Sequence, residues 1–584
     1  MRFPQSDTEN RRRHTASHIM TYAVKMLRPD VHLGVGPWTD SGFYQDYDFG
    51  GSPLSEHDFK DIQKKMRWII NKNFAVVQQD VSEEHARAHF AGDPYKQELI
   101  DGILARGLAL SFYHFQNDAG QNVYSDLCAG PHLSYTGDVG AFELTKIAGA
   151  YWRGDEKLAQ LTRIYGVAFA TEELLSEYHH FIAEAAKRDH RRLGQELGLF
   201  TFSDLVGPGL PLFTPKGTFI RRKIQDTIMA LSSAEGYTEV CIPHLAQPDL
   251  YKTSGHWEKF SDDLFHVRGK NDAAFVMKPM NCPHHTQVYA SQMRSYRDLP
   301  QRYMETTMVY RDEKHGELSG LSRVRSITQD DAHVFCRLSQ VKDESQRIVR
   351  IIEQFYARIG MWEKENFWVS LSVRDPKTLE KYLGGEENWS TAERFLEEVC
   401  QEAALPYKRI EGEAAFYGPK LDFMFYDSLQ RERQLSTIQI DFVQPERFGL
   451  EYTAEDGTKE RPVMIHRAIA GSLERFMSVM IEHFAGAFPA WLSPVQCVVL
   501  PVNPAHDAAA NALMERLRQR GVRAELWDTS ETLGKRVRNA QTEKLPYSIV
   551  LGDTEAASGQ LTVRAYGQET EQTISFDEFC EVLQ

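Results

Sequence analysis

Long apolar runs are missing from this 584-residue chain. No stretch approaches the ~20 residues a bilayer-crossing helix requires, so a membrane partner is not expected. The N-terminus carries no apolar core of a secretory leader. Cysteine is sparse, with seven residues at 128, 241, 282, 336, 400, 497 and 580. So few and so dispersed, they exclude a disulfide framework and suit reduced thiols in the cytoplasm. Any special cysteine would be a metal ligand or a catalyst. Positive charge is in deficit, with a net charge of -15. Phosphate contacts need Lys and Arg, so only a local basic face could serve nucleic acid. Lys187, Arg188, His190, Arg191 and Arg192 form one such cluster, equally readable as a solvated helix end. There is no G-x-x-x-x-G-K-[ST] loop and no convincing G-x-G-x-x-G. A nucleotide site would therefore rest on side-chain clamps. Internal repeats and low-complexity segments are absent as well.

What is present suggests three or four domains, at roughly 100–200 residues each. Residues 1–165 mix short strands and helices. From Thr171, the residues Leu174, Tyr178, Phe181, Ile182 and Ala185 recur at helical spacing, and no Gly or Pro interrupts the run to Arg192. Glu172 and Glu173 at its start and basic residues at its end suit the helix dipole. The spacing predicts one long connecting helix within 166–194. Residues 195–490 form the largest block, with candidate strands joined by short turns, which predicts an antiparallel sheet. After Pro489 and Pro494 the pattern becomes strand, helix, strand: Val498 to Val502, Asp507 to Arg520 closed by Gly521, Arg523 to Trp527, Leu533 to Gln541, Tyr547 to Leu551. That is a compact α/β domain over 491–584.

Four constellations carry chemistry. His14 and His18 lie four apart and would share a helix face, and Cys128 and His132 form a second such pair. Together they suit tetrahedral zinc, or a metal-free site that binds water and shuttles protons, or two unrelated pairs. Cys282, His333 and His466 are separated by 51 and 133 positions, so spacing alone leaves a zinc site and a buried cysteine with two core histidines both open. Arg311, Arg323, Arg325 and Arg475 could clamp phosphate, or form surface ion pairs. Phe416 to Phe423 and Gln439 to Phe442 place polar residues among strand formers, where a ligand or ordinary partners would satisfy them.

The segments MNCPHH, YRDEKHGELSGLSRVR, TQDDAHVFC, AFYGPKLDF, IQIDF and VMIHRAIAGSLERF together resemble bacterial threonyl-tRNA synthetases, which are class II aminoacyl-tRNA synthetases. The similarity runs from about residue 10 to the C-terminus. It implies an α/β multidomain chain: an α+β editing domain over 1–165, a linker helix, a class II antiparallel-sheet catalytic domain, and a C-terminal α/β anticodon-binding domain. It implies that Cys282, His333 and His466 hold one Zn2+ that contacts threonine through its amino group and hydroxyl. Asp331 would take the hydroxyl, and Gln329, Tyr417, Gln439 and Ser472 would line the substrate pocket. Arg311 matches the motif-two arginine at the α-phosphate of ATP, which brings Mg2+. Arg323 would sit near the far phosphates, Arg475 matches the motif-three arginine, and Lys420 a lysine near the substrates.

A hydroxyl-binding site cannot easily exclude serine, because one methyl is worth only about 1–3 kcal/mol. A second, hydrolytic site is therefore expected. By the resemblance it uses His14, His18, Lys96, Asp126, Cys128 and His132, working through water and side chains without a metal. Arg538, Glu555 and Arg564 match positions that read anticodon bases, and Ser530 stands where asparagine is usual. His284 stands where glycine is common and Asp312 where many members have asparagine. The resemblance also implies a cytoplasmic homodimer with Pro243 near its interface; the small N-terminal domain common in bacterial members is expected to be lacking here, as a departure from the family. The rivals are a non-catalytic RNA-binding paralogue, a synthetase for another amino acid, and a free-standing hydrolase.

Overall fold

A computed structural model describes residues 6–583 except 40, 41, 52, 53, 156 and 430, and the side chains of 259 and 260. The chain divides into two compact units, Met1–Glu184 and Ala185–Gln584.

The first unit is organised by the helix Asp7–Leu27. The Ser6 hydroxyl accepts from the Glu9 N–H at 3.3 Å, and Asp7 and Glu9 sit at the positive end of the helix dipole. Ala16, Ile19, Met20 and Ala23 recur at helical spacing, are fully buried, and pack among Phe43, Ile62, Met66 and Ile69. Two antiparallel sheets accompany it. One is five-stranded, with Gly42–Asp48, Gln160–Phe169 and Ala141–Tyr151 as its long members. The other pairs Ala75–Asp80, Ser111–Gln116 and Asn122–Leu127. Its last strand delivers Cys128 beside the His14–His18 face.

The connecting helix differs from its expected course. It spans Glu172–Arg188, and a second helix, His190–Glu196, follows. Asp189 makes the break: its backbone leaves the helical region (φ -52, ψ 118), and its carboxylate accepts from the Arg191 N–H at 2.8 Å. An aspartate side chain competing for local N–H groups favours such a cap over a helix interior. The basic run is consequently not one exposed face. His190 is buried and bonds Glu482 at 2.7 Å, Arg191 closes onto Asp189, and Arg188 donates to the His483 carbonyl.

The second unit holds an eight-stranded sheet. Its six central strands are antiparallel, in the order Gln301–Tyr310, Ser326–Cys336, Val463–Ala468, Glu432–Asp441, Lys420–Tyr426 and Phe367–Val373. The short strand Thr238–Glu239 and the strand Tyr407–Glu411 add to the two edges in parallel, which local patterning did not indicate. Strand residues alternate between faces. Ala332, Val334, Ile438, Ile440 and Ile465 enter the main core with the helices Pro215–Ala234, Val341–Arg358, Glu386–Glu402 and Leu473–His483. The intervening residues Gln329, Asp331, His333, Gln439, Asp441 and His466 all line one cavity.

One buried polar link fixes the loop ahead of the helix Leu473–His483. Arg467, 1% exposed, bonds Asp330 at 2.7 Å. The other oxygen of Asp330 accepts from the Ile469 and Ala470 N–H groups at 2.7 and 3.0 Å. The turn that carries Gly471 and Ser472 is thus tied to the strand that carries Gln329 and Asp331.

Residues beyond 496 form a mixed sheet in the order Ala524–Leu526, Cys497–Pro501, Tyr547–Leu551, Leu561–Ala565 and Gln572–Ile574. The first three strands are parallel and the last two pair antiparallel. The helices Asp507–Gln519 and Leu533–Thr542 lie within two residues of their expected ends.

Candidate active site

Cys282 opens the helix Cys282–Ala290, and His333 lies directly across the strand pair from His466. His333 Nε2 is 3.0 Å from His466 Nδ1. The three ligand atoms, one sulfur and two nitrogens, lie within 4.8 Å of one another. Two nitrogens bound tetrahedrally to one zinc at ~2.0–2.1 Å would stand roughly 3.3 Å apart, so the histidines are already near that spacing. His466 Nε2 donates to Asp441 at 2.9 Å, which fixes the ring and turns the Nδ1 lone pair toward the cluster. Burial, with Asp331 and Asp441 nearby, pushes the Cys282 thiol well up, and burial with two neighbouring rings pushes His333 well down. The donor set and its outer carboxylate fit zinc.

The cluster forms one wall of a cavity of about 440 Å³, which Gln329, Asp331, Tyr417 and Gln439 also line. Asn281 Nδ2 donates to Asp331 at 3.0 Å and orients it, and burial raises the Asp331 carboxyl. A second cavity of about 480 Å³ shares Arg311 and Gln329 with the first and is lined further by Glu313, Arg323, Ser472 and Arg475. Arg311 is exposed and has no ion-pair partner among the described residues. A cation therefore stands at the junction of two pockets, free to meet an anion that spans them. Arg323 is held at 2.6 Å by Glu313 and at 2.9 Å by Glu317, so it must exchange carboxylates for any incoming phosphate. Ser472 caps the helix Leu473–His483 by accepting from the Arg475 N–H at 3.2 Å. Lys420 neighbours Gln439 across the strands and bonds Asp422 at 2.6 Å; it is not among the residues lining either cavity.

The first unit gathers its own cluster. His14 Nδ1 donates to the Pro131 carbonyl at 3.1 Å, leaving Nε2 toward Cys128 Sγ at 3.4 Å. The Thr15 hydroxyl donates to the Arg11 carbonyl, so it accepts from His132 Nδ1 at 3.2 Å, and His132 Nε2 also faces Cys128, at 3.3 Å. His18 stacks edge-on against His132. Behind it, Lys96 bonds Asp126 at 2.6 Å in full burial, with Asp126 3.9 Å from His18 Nδ1. Burial, above all, lowers His14, His18 and His132 and raises the Cys128 thiol to about 11. The site therefore presents uncharged imidazoles at neutral pH, able to accept a proton or to ligate. All six residues expected together here are together.

Comparison with known proteins bears on both clusters. Residues 265–484 match the tRNA synthetase class II core domain (G, H, P, S and T), 496–584 the anticodon binding domain, and 110–165 the threonyl and alanyl tRNA synthetase second additional domain. A threonine–tRNA ligase of Gloeobacter violaceus is 46% identical over 598 residues, covering 99% of this chain and 93% of that protein. The chain belongs to the threonine–tRNA ligase family. Another member, from Cytophaga hutchinsonii, is 42% identical across 99% of this chain and 89% of its own length. The solved RNA binding domain of threonyl-tRNA synthetase from Cryptosporidium parvum aligns with a TM-score of 0.64 at 35% identity, covering 68% of this chain and 97% of that one.

The three C-terminal residues singled out in the sequence each have their own local setting. Arg538 is exposed on the helix Leu533–Thr542, Arg564 donates to the Gln568 carbonyl at 2.8 Å, and Glu555 accepts from Gly552 N–H and Thr562 Oγ1. Sequence reasoning quoted the segments that hold Asn281, His285 and Asp441 but assigned none of the three a role. Asp441 had a usable signal, since it lies two positions from Gln439 on one strand and must share its face. Asn281 and His285 lie inside the quoted segment MNCPHH, but nothing local says what they touch.

Proposed function

We propose that this chain is a threonine–tRNA ligase that activates threonine with ATP, transfers it to the 3′ end of threonine tRNA, and hydrolyses serine from mischarged tRNA. The observation that carries it is Arg311 and Gln329 bridging two cavities, one walled by Cys282, His333 and His466 and the other lined by Arg323, Ser472 and Arg475. Family membership supports the same reading and brings the Mg2+ that accompanies ATP.

In this reading Cys282, His333 and His466 hold Zn2+. When bound, the ion supplies Lewis-acid contacts to the amino and hydroxyl groups of threonine. Asp331, aimed by Asn281, accepts the hydroxyl hydrogen bond, and Gln329, Tyr417 and Gln439 close the pocket. The threonine carboxylate then points toward Arg311. A carboxylate oxygen attacks the α-phosphorus of ATP, the bond to the bridging oxygen breaks, and diphosphate departs with the electron pair. Arg311 holds the charge developing on the α-phosphate, while Arg323 and Arg475 hold the departing end. Positioning and charge stabilisation account for most of such a rate enhancement. The Ser472 hydroxyl keeps the Arg475 helix capped. The tRNA ribose hydroxyl then attacks the adenylate carbonyl and releases AMP.

His14, His18, Lys96, Asp126, Cys128 and His132 make up the proofreading site. The neutral imidazoles accept a proton from water, and the Lys96–Asp126 pair holds the pocket. No metal takes part in this hydrolysis in our reading. Arg538, Glu555 and Arg564 would read anticodon bases, whose unstacked edges are accessible in a loop. The domain division that serves these roles is 1–165, 166–194, 195–490 and 491–584.

A homodimer fits the exposed apolar side chain of Leu245, two positions from Pro243. A cytoplasmic setting fits seven free cysteines. No described helix is long and apolar enough to cross a membrane. The test is substitution of the bridging cation. Arg311→Ala should lower threonine-dependent ATP–diphosphate exchange by about 10²–10³-fold, the usual cost of one transition-state donor. Exchange within threefold of the unsubstituted enzyme would remove Arg311 from the chemistry.

A further inference from the structure

Behind the Cys282–His333–His466 cluster, His285 and Glu305 extend the line of rings inward. We propose that His285 is a positioning residue that sets the tautomer of His333, with Glu305 as its terminal acceptor, and so governs how tightly the cluster holds its ion. The inference rests on the zinc reading above.

His285 is three residues after Cys282 on one helix, so the two share a face. It is fully buried, and its Nδ1 stands 2.7 Å from His333 Nδ1. At that distance one nitrogen carries the proton and the other accepts it. The far end of the chain decides the rest. Asp441 can only accept, so His466 Nε2 carries a proton and His466 Nδ1 is a lone pair.

Two arrangements remain for His333. In the first, its Nε2–H donates to His466 Nδ1 at 3.0 Å, and His285 Nδ1–H donates to His333 Nδ1. Neither histidine lone pair is then available to an ion, and His285 Nε2 faces Glu305 without a proton. In the second, His333 Nδ1–H donates to His285 Nδ1. His333 Nε2 and His466 Nδ1 are both free to ligate, and His285 Nε2–H points to Glu305 Oε2.

Both ends of this inner link are unsatisfied. His285 Nε2 and Glu305 Oε2 are buried, have no hydrogen-bond partner, and stand 3.8 Å apart. Buried polar atoms without partners are costly and uncommon. Only the second arrangement makes them donor and acceptor, and a closure of about 1 Å completes the bond. Glu305 is well anchored to receive it. Its other oxygen accepts from the Ile242 N–H at 3.2 Å, and it lies across the strands from Asp331. The carboxylate therefore favours the tautomer that ligates.

Zinc affinity of the purified full chain, measured by competition with a chromogenic chelator, tests this. His285→Ala should weaken zinc binding by about 10–100-fold, the usual effect of losing an outer-shell partner of a metal-bound histidine. His285→Gln, whose side-chain oxygen can accept from His333 Nδ1–H, should recover part of the loss. Unchanged affinity in His285→Ala overturns the proposal. Should that variant not fold, Glu305→Gln carries the test: a several-fold loss is expected, and wild-type affinity overturns it. An unsubstituted chain that binds no zinc would instead overturn the metal reading on which the proposal rests.

Discussion

Replacing Cys282 by serine should remove zinc and threonine activation together, with exchange falling by more than ~100-fold. Losing an outer-shell partner already costs about 10–100-fold in affinity or activity, and Cys282 is a proposed ligand itself. The serine hydroxyl is a poorer donor to zinc than a thiolate, while its volume is close enough to keep the buried site packed. Cys282 is 6% exposed at the start of its helix and belongs, with Tyr289, Leu299 and Phe335, to a small apolar cluster distinct from the main core. The fold should therefore survive, and a melting curve near that of the zinc-stripped wild type would confirm it. Metal analysis and exchange should fall in step. Activation that persists in a zinc-free variant would show that the metal does not touch threonine.

Replacing His14 and His18 together by alanine should abolish proofreading and spare charging. Hydrolysis of Ser-tRNA should fall by about 10²-fold or more, the scale of positioned acid–base groups. Two of the three imidazoles facing Cys128 and the Lys96–Asp126 pair would be gone. Thr-tRNA formation should stay within about twofold, because Arg311, Cys282, His333 and His466 lie in the other compact unit with its own core. With serine in excess, Ser-tRNA should accumulate in the variant and not in the wild type. Undiminished Ser-tRNA hydrolysis would remove the assignment of this cluster.

Local signals were legible where physics is local. His14 and His18 at helical spacing do converge, because one helix face presents both. The strand–helix alternation after Pro494 appears at nearly the expected residues, since the strand Cys497–Pro501 is buried along its length and the helix Asp507–Gln519 buries Ala510, Leu513 and Leu517 at helical spacing. Asp189 shows the limit: helical periodicity continued through it, yet a single side chain capping its own neighbours divided the helix. Strand pairing is longer in range. Cys282, His333 and His466 are too far apart for spacing to join them. It is the antiparallel register that sets His333 opposite His466, and register is written across the whole sheet. The parallel edge strands were hidden for the same reason. Resemblance, built on ordered segments, supplied what spacing could not. It was silent on His285 and on the partner of Asp441.

ATP–diphosphate exchange by the unsubstituted, zinc-loaded chain with threonine, serine and valine tests the central claim most directly. A site built around the threonine hydroxyl should favour threonine over serine by only about 10–200-fold in kcat/KM, since one methyl separates them, and over isosteric valine by about 10⁴-fold or more, since valine leaves Asp331 and the metal unpaired. Valine activated within about 100-fold of threonine would contradict a hydroxyl-reading site.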